Sequence, residues 1–353
     1  MRNWYKPSCA LIALVLVACS GSSGGGQKAT SNTTSKSVAT APASVAAAPS
    51  PGCRNSANAV TPGEEKVTLT SGGAERYYYR HVPPTYQATT PMPLVFDFHG
   101  YSEGAFIQTQ LSKLGPFGDQ HGFVTVTPQG SGAIPLWNTT LHSDDMKFFG
   151  QLLDQVEQTV CVDQNRVFAT GLSNGAFMTS AVACEYADRV AAAAPVAGIR
   201  NIKGCRPARP VPVVAFHGTA DPLVAYTGGL GPKGLRLPAP DGSGRTLGQT
   251  GTPGLVTKES VPKMTADWAA RNHCAPRPTT TKVASDVTLI AYRCPDDATV
   301  ELYRIEGGGH TWPGSGVTNA VPTLLGPTTL SIAADEVIWK FFQAHPLRPA
   351  TRH

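Results

Sequence analysis

Along most of the chain, short and nearly continuous apolar runs alternate with longer stretches in which apolar residues return every three or four positions. PLVFDFHG, GFVTVTP, RVFATG, VAAAAPVAG and VPVVAFHG are runs of the first kind, ending in Gly, Pro or polar residues. That pattern suits strands buried on both faces. The second kind predicts helices at 144–160, 174–187, 260–271 and 332–344. VTLTS and RYYYRHV form an opening antiparallel pair, and VTLIAYR and VELYRIE are later strands. Strand alternating with helix implies an α/β fold: a mostly parallel, twisted sheet with helices on both faces, in a single domain over 53–345.

The N-terminus breaks this rhythm. Residues 1–18 combine Arg2 and Lys6 with a short apolar run that stops at Leu16-Val17-Ala18, before Cys19. This is the layout of a lipoprotein-type signal peptide, which would leave Cys19 as the lipidated N-terminus of an exported protein. Residues 19–52 are Gly, Ser, Thr, Ala and Pro with hardly a large apolar side chain. Such a segment cannot offset its ordering entropy by burial and predicts a flexible tether. Residues 346–353 are a tail. The expected location is the cell envelope, with the lipid in a membrane (an outer membrane included), or the extracellular medium.

With 41% hydrophobic and 15% charged residues, the chain is too apolar to be globally disordered. Its net charge of +5 falls to +3 if Arg2 and Lys6 leave with the signal. No basic run remains to follow a polyanion, so no nucleic-acid partner is expected. Apart from Cys9 and Cys19, six cysteines remain, at 53, 161, 184, 205, 274 and 294. An even number in an oxidising compartment predicts disulfides. None forms a CxxC pair or has a histidine at zinc-ligand spacing, so neither a metal nor another cofactor is expected.

Asp144 and Asp145 open a helix, where carboxylates suit the orphan N–H groups and the dipole, and both are assigned as caps. The stretch 226–257 is too rich in Gly and Pro for regular structure, and a loop that long in a compact domain is usually functional.

GLSNG at 171–175 lies between the strand RVFAT and a helix. Gly-x-Ser-x-Gly in that setting presents a serine hydroxyl on a sharp turn at a helix N-terminus, which makes Ser173 the candidate nucleophile. A serine needs a base to take its proton and an acid to orient the base, in the chain order Ser, acid, His. Asp221 follows the strand VPVVAF and His310 follows VELYRI, so all three emerge at the carboxyl edge of one sheet. His99 and His217 end buried strands and suit structural hydrogen bonds. The developing oxyanion needs donors, for which the N–H groups of Asn174 and, in the loop HGYSEGA, Tyr101 are placed.

HGYSEGA, RVFATGLSNGAFMT, AAAAPVAG, FHGTADPLVAY and IEGGGHTWPG together resemble the serial motifs of the extracellular polyhydroxybutyrate depolymerase and feruloyl esterase group of α/β-hydrolases. The resemblance implies an α/β-hydrolase fold with Ser173, Asp221 and His310 as triad and Tyr101 with Asn174 at the oxyanion hole. It also implies a serine esterase acting on hydroxycinnamoyl, acetyl or hydroxyalkanoate esters, polymeric ones included. The loop HGYSEG departs from the group in lacking the cysteine or glycine pair often found after His-Gly. A serine peptidase on the same scaffold and a non-catalytic, ligand-binding surface lipoprotein are the alternatives. Trp137, Tyr226 and Trp312 are candidates to line a pocket for an aromatic acyl group.

Six cysteines allow fifteen pairings. Cys274 follows a helix and Cys294 ends the strand that returns beside it, while Cys184 and Cys205 would fasten the helix after Ser173 to the following crossover. That leaves Cys53 with Cys161, and the resemblance supports the same scheme. Oligomeric state is not legible.

Overall fold

The computed structural model describes residues 45–54, 60–251, 257–295 and 298–348. The signal peptide, Cys19 and the tether up to residue 44 lie outside the described residues, as do 252–256 of the long loop and the end of the tail. In chain order the elements are β1 (Gly63–Ser71), β2 (Ala74–Val82), β3 (Met92–Phe98), α1 (Ala105–Ser112), α2 (Leu114–His121), β4 (Val124–Pro128), α3 (Asp144–Thr159), β5 (Val162–Leu172), α4 (Asn174–Glu185), β6 (Ala192–Val196) and β7 (Val213–Gly218). There follow α5 (Leu247–Thr250), α6 (Val261–Arg271), β8 (Thr279–Ala284), β9 (Val287–Tyr292), β10 (Val300–Ile305), α7 (Gly316–Asn319), α8 (Pro322–Leu325) and α9 (Ala334–Ala344).

The strands join in one sheet of order β1-β2-β4-β3-β5-β6-β7-β10-β9-β8. From β4 to β10 neighbouring strands run parallel, and the two strands at each end run antiparallel. The central strands are buried on both faces, as their unbroken apolar runs require. Successive residues still divide between the faces. Leu94, Phe96 and Phe98 of β3 pack on the side of α3 and α4, where Met146, Phe149, Leu152, Leu153 and Val156 form one helical stripe. Val95, Phe168 and Phe216 pack on the other side against Ile338, Trp339 and Phe342 of α9. Asp97 shares that second face, with its carboxylate accepting from Gln108 Nε2 and Ser112 Oγ, each at 2.6 Å.

Four features differ from the sequence expectations. The folded part begins before Cys53: Ala48 N–H donates to Asp163 Oδ1 (2.8 Å), and Ser50 bridges Val160 O (2.8 Å) and Val162 N (3.1 Å). Asp145 does not cap α3; Ser143 does, by accepting from Met146 N–H at 3.4 Å. Asp145 accepts instead from Arg76 Nη2 (3.0 Å) and Asn138 N–H (2.8 Å), which fastens the loop before α3 to β2. Asp144 pairs with Lys147 in solvent. Among its described residues, the loop after Asp221 holds a 3₁₀ turn (Gly234–Arg236) and the short α5, closed by a capping box between Thr246 and Gln249.

Cysteine bridges join Cys53 to Cys161, Cys184 to Cys205 and Cys274 to Cys294, the arrangement expected from the elements that flank them.

Candidate active site

Ser173 stands between β5 and α4 with φ 60° and ψ −119°, a region that disfavours any residue with a Cβ and costs on the order of 1–3 kcal/mol. Its N–H donates to Val196 O (2.9 Å), and its own carbonyl accepts from Ala176 and Phe177, so the turn is fixed from both sides. The flanking glycines do not take the strained dihedral themselves. They serve close packing: a Cβ on Gly171 or Gly175 would overlap the carbonyl of Phe98 at the end of β3. The motif therefore lets β5 and the start of α4 pack closely against the end of β3.

Asp221 and His310 leave the ends of β7 and β10, which are adjacent and parallel. His310 Nδ1 donates to Asp221 Oδ2 at 2.7 Å, with both side chains buried. The other carboxylate oxygen accepts from the N–H groups of Leu223 (2.8 Å) and Val224 (2.9 Å). His217 Nε2 lies 3.3 Å from Oδ2 and donates to Val224 O at 2.9 Å. Burial alone would raise the Asp221 carboxyl, but the charge and hydrogen bonds of His310 and His217 outweigh it and hold the group well below the usual carboxylate range. For His310, burial favours the neutral ring, yet Asp221, with a smaller contribution from Glu103, shifts its pKa upward. Since Nδ1 faces a carboxylate, the proton-accepting nitrogen is Nε2.

Tyr101, Asn174, Ser173 and His310 all line one cavity of about 160 Å³. Larger hollows of about 570 and 400 Å³ contain none of these residues. The amides of Tyr101 and Asn174 have no acceptor among the described residues. His99 fastens the loop after β3: Nδ1 donates to Gly100 O (2.7 Å) and Nε2 accepts from Gly130 N–H (2.8 Å). Burial pushes its pKa down to about 4, so the ring is the neutral tautomer that both contacts require.

The aromatic candidates are placed elsewhere. Trp137 and Trp312 are fully buried, donating to His99 O and to Asp335 Oδ1, and Tyr226 packs beside His217. None of them lines the cavity. Its apolar wall comes from Phe177, from Leu230, Leu237 and Leu247 of the long loop, and from Leu324 and Leu325 of α8. Glu103 also lines it, half-buried, accepting from Gly100 N–H at 2.9 Å, and burial raises its pKa. Its only sequence signal was membership of HGYSEGA. Among the described residues no group of three or more His, Cys, Asp or Glu is arranged to hold a metal.

No family model matches the chain. Feruloyl esterase D of Neurospora crassa is 33% identical over 192 residues, covering 51% of this chain and 64% of that protein. Feruloyl esterase B of Piromyces equi is 31% identical over 173 residues, covering 48% of this chain and 29% of that protein. The chain thus spans less than two thirds of the length of these curated relatives. Among solved structures, an acetyl xylan esterase from Aspergillus awamori superposes with a TM-score of 0.52 over 80% of this chain and 99% of that one, at 16% identity. With the sheet order described above, that likeness identifies the fold as an α/β-hydrolase fold.

Proposed function

We propose that the chain is a serine carboxylic-ester hydrolase working through an acyl-enzyme, with Ser173 as nucleophile, His310 as base and Asp221 as the orienting acid. The observation that carries it is the 2.7 Å contact between His310 Nδ1 and Asp221 Oδ2 beside a cavity that Ser173 enters on a strained turn. In this mechanism Ser173 Oγ attacks the ester carbonyl while its proton passes to His310 Nε2, and Asp221 stabilises the imidazolium. The amides of Tyr101 and Asn174 receive the oxyanion. As the tetrahedral intermediate collapses, His310 returns the proton to the leaving alcohol, and a water repeats the sequence to free the acid.

The names of the relatives support feruloyl and acetylxylan esters as substrates to assay, and the motif resemblance adds hydroxyalkanoate esters. Export and anchoring through a lipid on Cys19 belong to the same proposal, supported by the signal-like N-terminus and the three cystines. The decisive measurement is turnover of a short p-nitrophenyl ester by Ser173→Ala, with circular dichroism to confirm folding. Loss of activity is expected; a folded variant that keeps most of its turnover would end the serine-hydrolase reading.

A further inference from the structure

We propose that the cavity beside Ser173 selects esters whose acyl group is aliphatic and free of polar substituents, so that a hydroxylated cinnamoyl group is a poor occupant. This rests on the serine-esterase reading above and narrows its substrate class. The ground for it is the division of polar and apolar atoms around the cavity. Every polar side chain on the wall comes from the loop after β3 (Tyr101, Ser102, Glu103), the start of α4 (Ser173, Asn174) or the loop holding His310, the elements that carry the proposed chemistry. The loop after Asp221 and α8 contribute only aliphatic side chains to the same wall, among them Leu230, Leu237, Leu247, Leu324 and Leu325, and Leu230, Leu237 and Leu247 pack together with the Tyr101 ring.

Three polar groups next to those leucines already have partners. Tyr101 Oη donates to Pro238 O at 2.7 Å, Leu237 O accepts from Leu247 N–H at 2.8 Å, and Leu325 O accepts from His310 N–H at 2.6 Å. The hydroxyl packed among the leucines, on Tyr101, has thus already given its proton to Pro238 O, and the leucine side chains themselves offer a phenol no donor or acceptor. Losing its water without replacement costs on the order of 10- to 100-fold in kcat/KM. Each methylene of a chain that fits the same wall gains about fourfold. Leu324 is 55% exposed and lines the cavity, so the aliphatic surface continues from the interior to the mouth.

The test separates this inference from the reading it rests on. The full chain is first treated with a small fluorophosphonate, with Ser173→Ala as control, which probes the nucleophile alone. Then kcat/KM is measured for p-nitrophenyl acetate, butyrate and hexanoate, and for methyl cinnamate against methyl para-hydroxycinnamate and methyl ferulate. Values should climb along the aliphatic series, and cinnamate should exceed both hydroxylated esters on the order of 10- to 100-fold. Leu237→Ala should reduce the hexanoate-to-acetate ratio about fourfold or more. Leu324→Ala, at an exposed position where folding is not at stake, should lower the same ratio. A flat aliphatic series, or hydroxycinnamates turned over as fast as cinnamate, in a protein labelled at Ser173 overturns the selectivity and leaves the nucleophile standing. Absence of labelling overturns both.

Discussion

The side chain of Asn174 is held by the backbone of Trp137 at both of its polar atoms: Oδ1 accepts from Trp137 N–H at 2.7 Å and Nδ2 donates to Trp137 O at 3.3 Å. Trp137 is in turn fixed through Nε1 to His99 O at 3.0 Å. The amide proposed to receive the oxyanion is therefore oriented by its own side chain. Asn174→Ala keeps that amide but frees the turn, and a displacement near 1 Å costs on the order of 100-fold. The expected result is a fall in kcat approaching that size with a smaller change in KM; an unaltered kcat would show that the clamp does not position the donor.

Asp221 orients His310, so Asp221→Asn should present the imidazole in the wrong tautomer. A loss on the order of 10⁴ in kcat is expected. Because His217 lies 3.3 Å from the same carboxylate, His217→Gln makes a graded comparison, and its loss should be much smaller. Equal losses would mean that the two histidines act as a unit.

The raised pKa of His310 fixes the sign of the pH dependence. In the proposed mechanism only the neutral ring takes the serine proton, so kcat/KM should decline as pH falls, with a midpoint above the ordinary histidine value of 6.5. Glu103 contributes to that elevation through its negative charge. Glu103→Gln should therefore move the acid limb to lower pH. A limb that stays in place would remove Glu103 from the electrostatics of the base.

The Cys53–Cys161 bridge closes a loop with a sequence separation of 108. In the chain-entropy picture such a constraint contributes about 4 to 5 kcal/mol through the unfolded state. Replacing both cysteines by alanine should lower denaturant stability by up to that amount without altering kcat/KM. If stability is unchanged, the contacts of Ser50 with Val160 and Val162 suffice to hold the segment.

The three triad candidates were legible because each directly follows a strand, and parallel strands deliver their C-terminal loops to one edge. The strands themselves were legible from apolar runs such as VPVVAF, and the cysteine pairs from the elements flanking them. Other features were hidden for stated physical reasons. Strand β8 is TTTKVA, almost wholly exposed at the sheet edge, so no buried face marks it in the sequence. Helix α2, LGPFGDQH, contains two glycines and a proline and carries little helical signature.

Which side chains share a cavity is a question of sheet order and loop orientation, and local pattern does not encode either. Trp137 and Trp312 have the chemistry of pocket aromatics, yet each turns inward to satisfy its indole N–H at His99 O and Asp335 Oδ1. Leu237 and Leu247 look like ordinary loop leucines, but a hydrogen bond between their backbones and the anchor from Tyr101 Oη to Pro238 O hold them in the wall of the cavity that Ser173 also lines. The sequence alone determined the succession of strands and helices along the chain and the candidates for acyl chemistry, because those follow from near neighbours. The wall that an acyl group would meet was decided by tertiary structure, since its leucines come from segments nearly a hundred residues apart that only the folded sheet brings together.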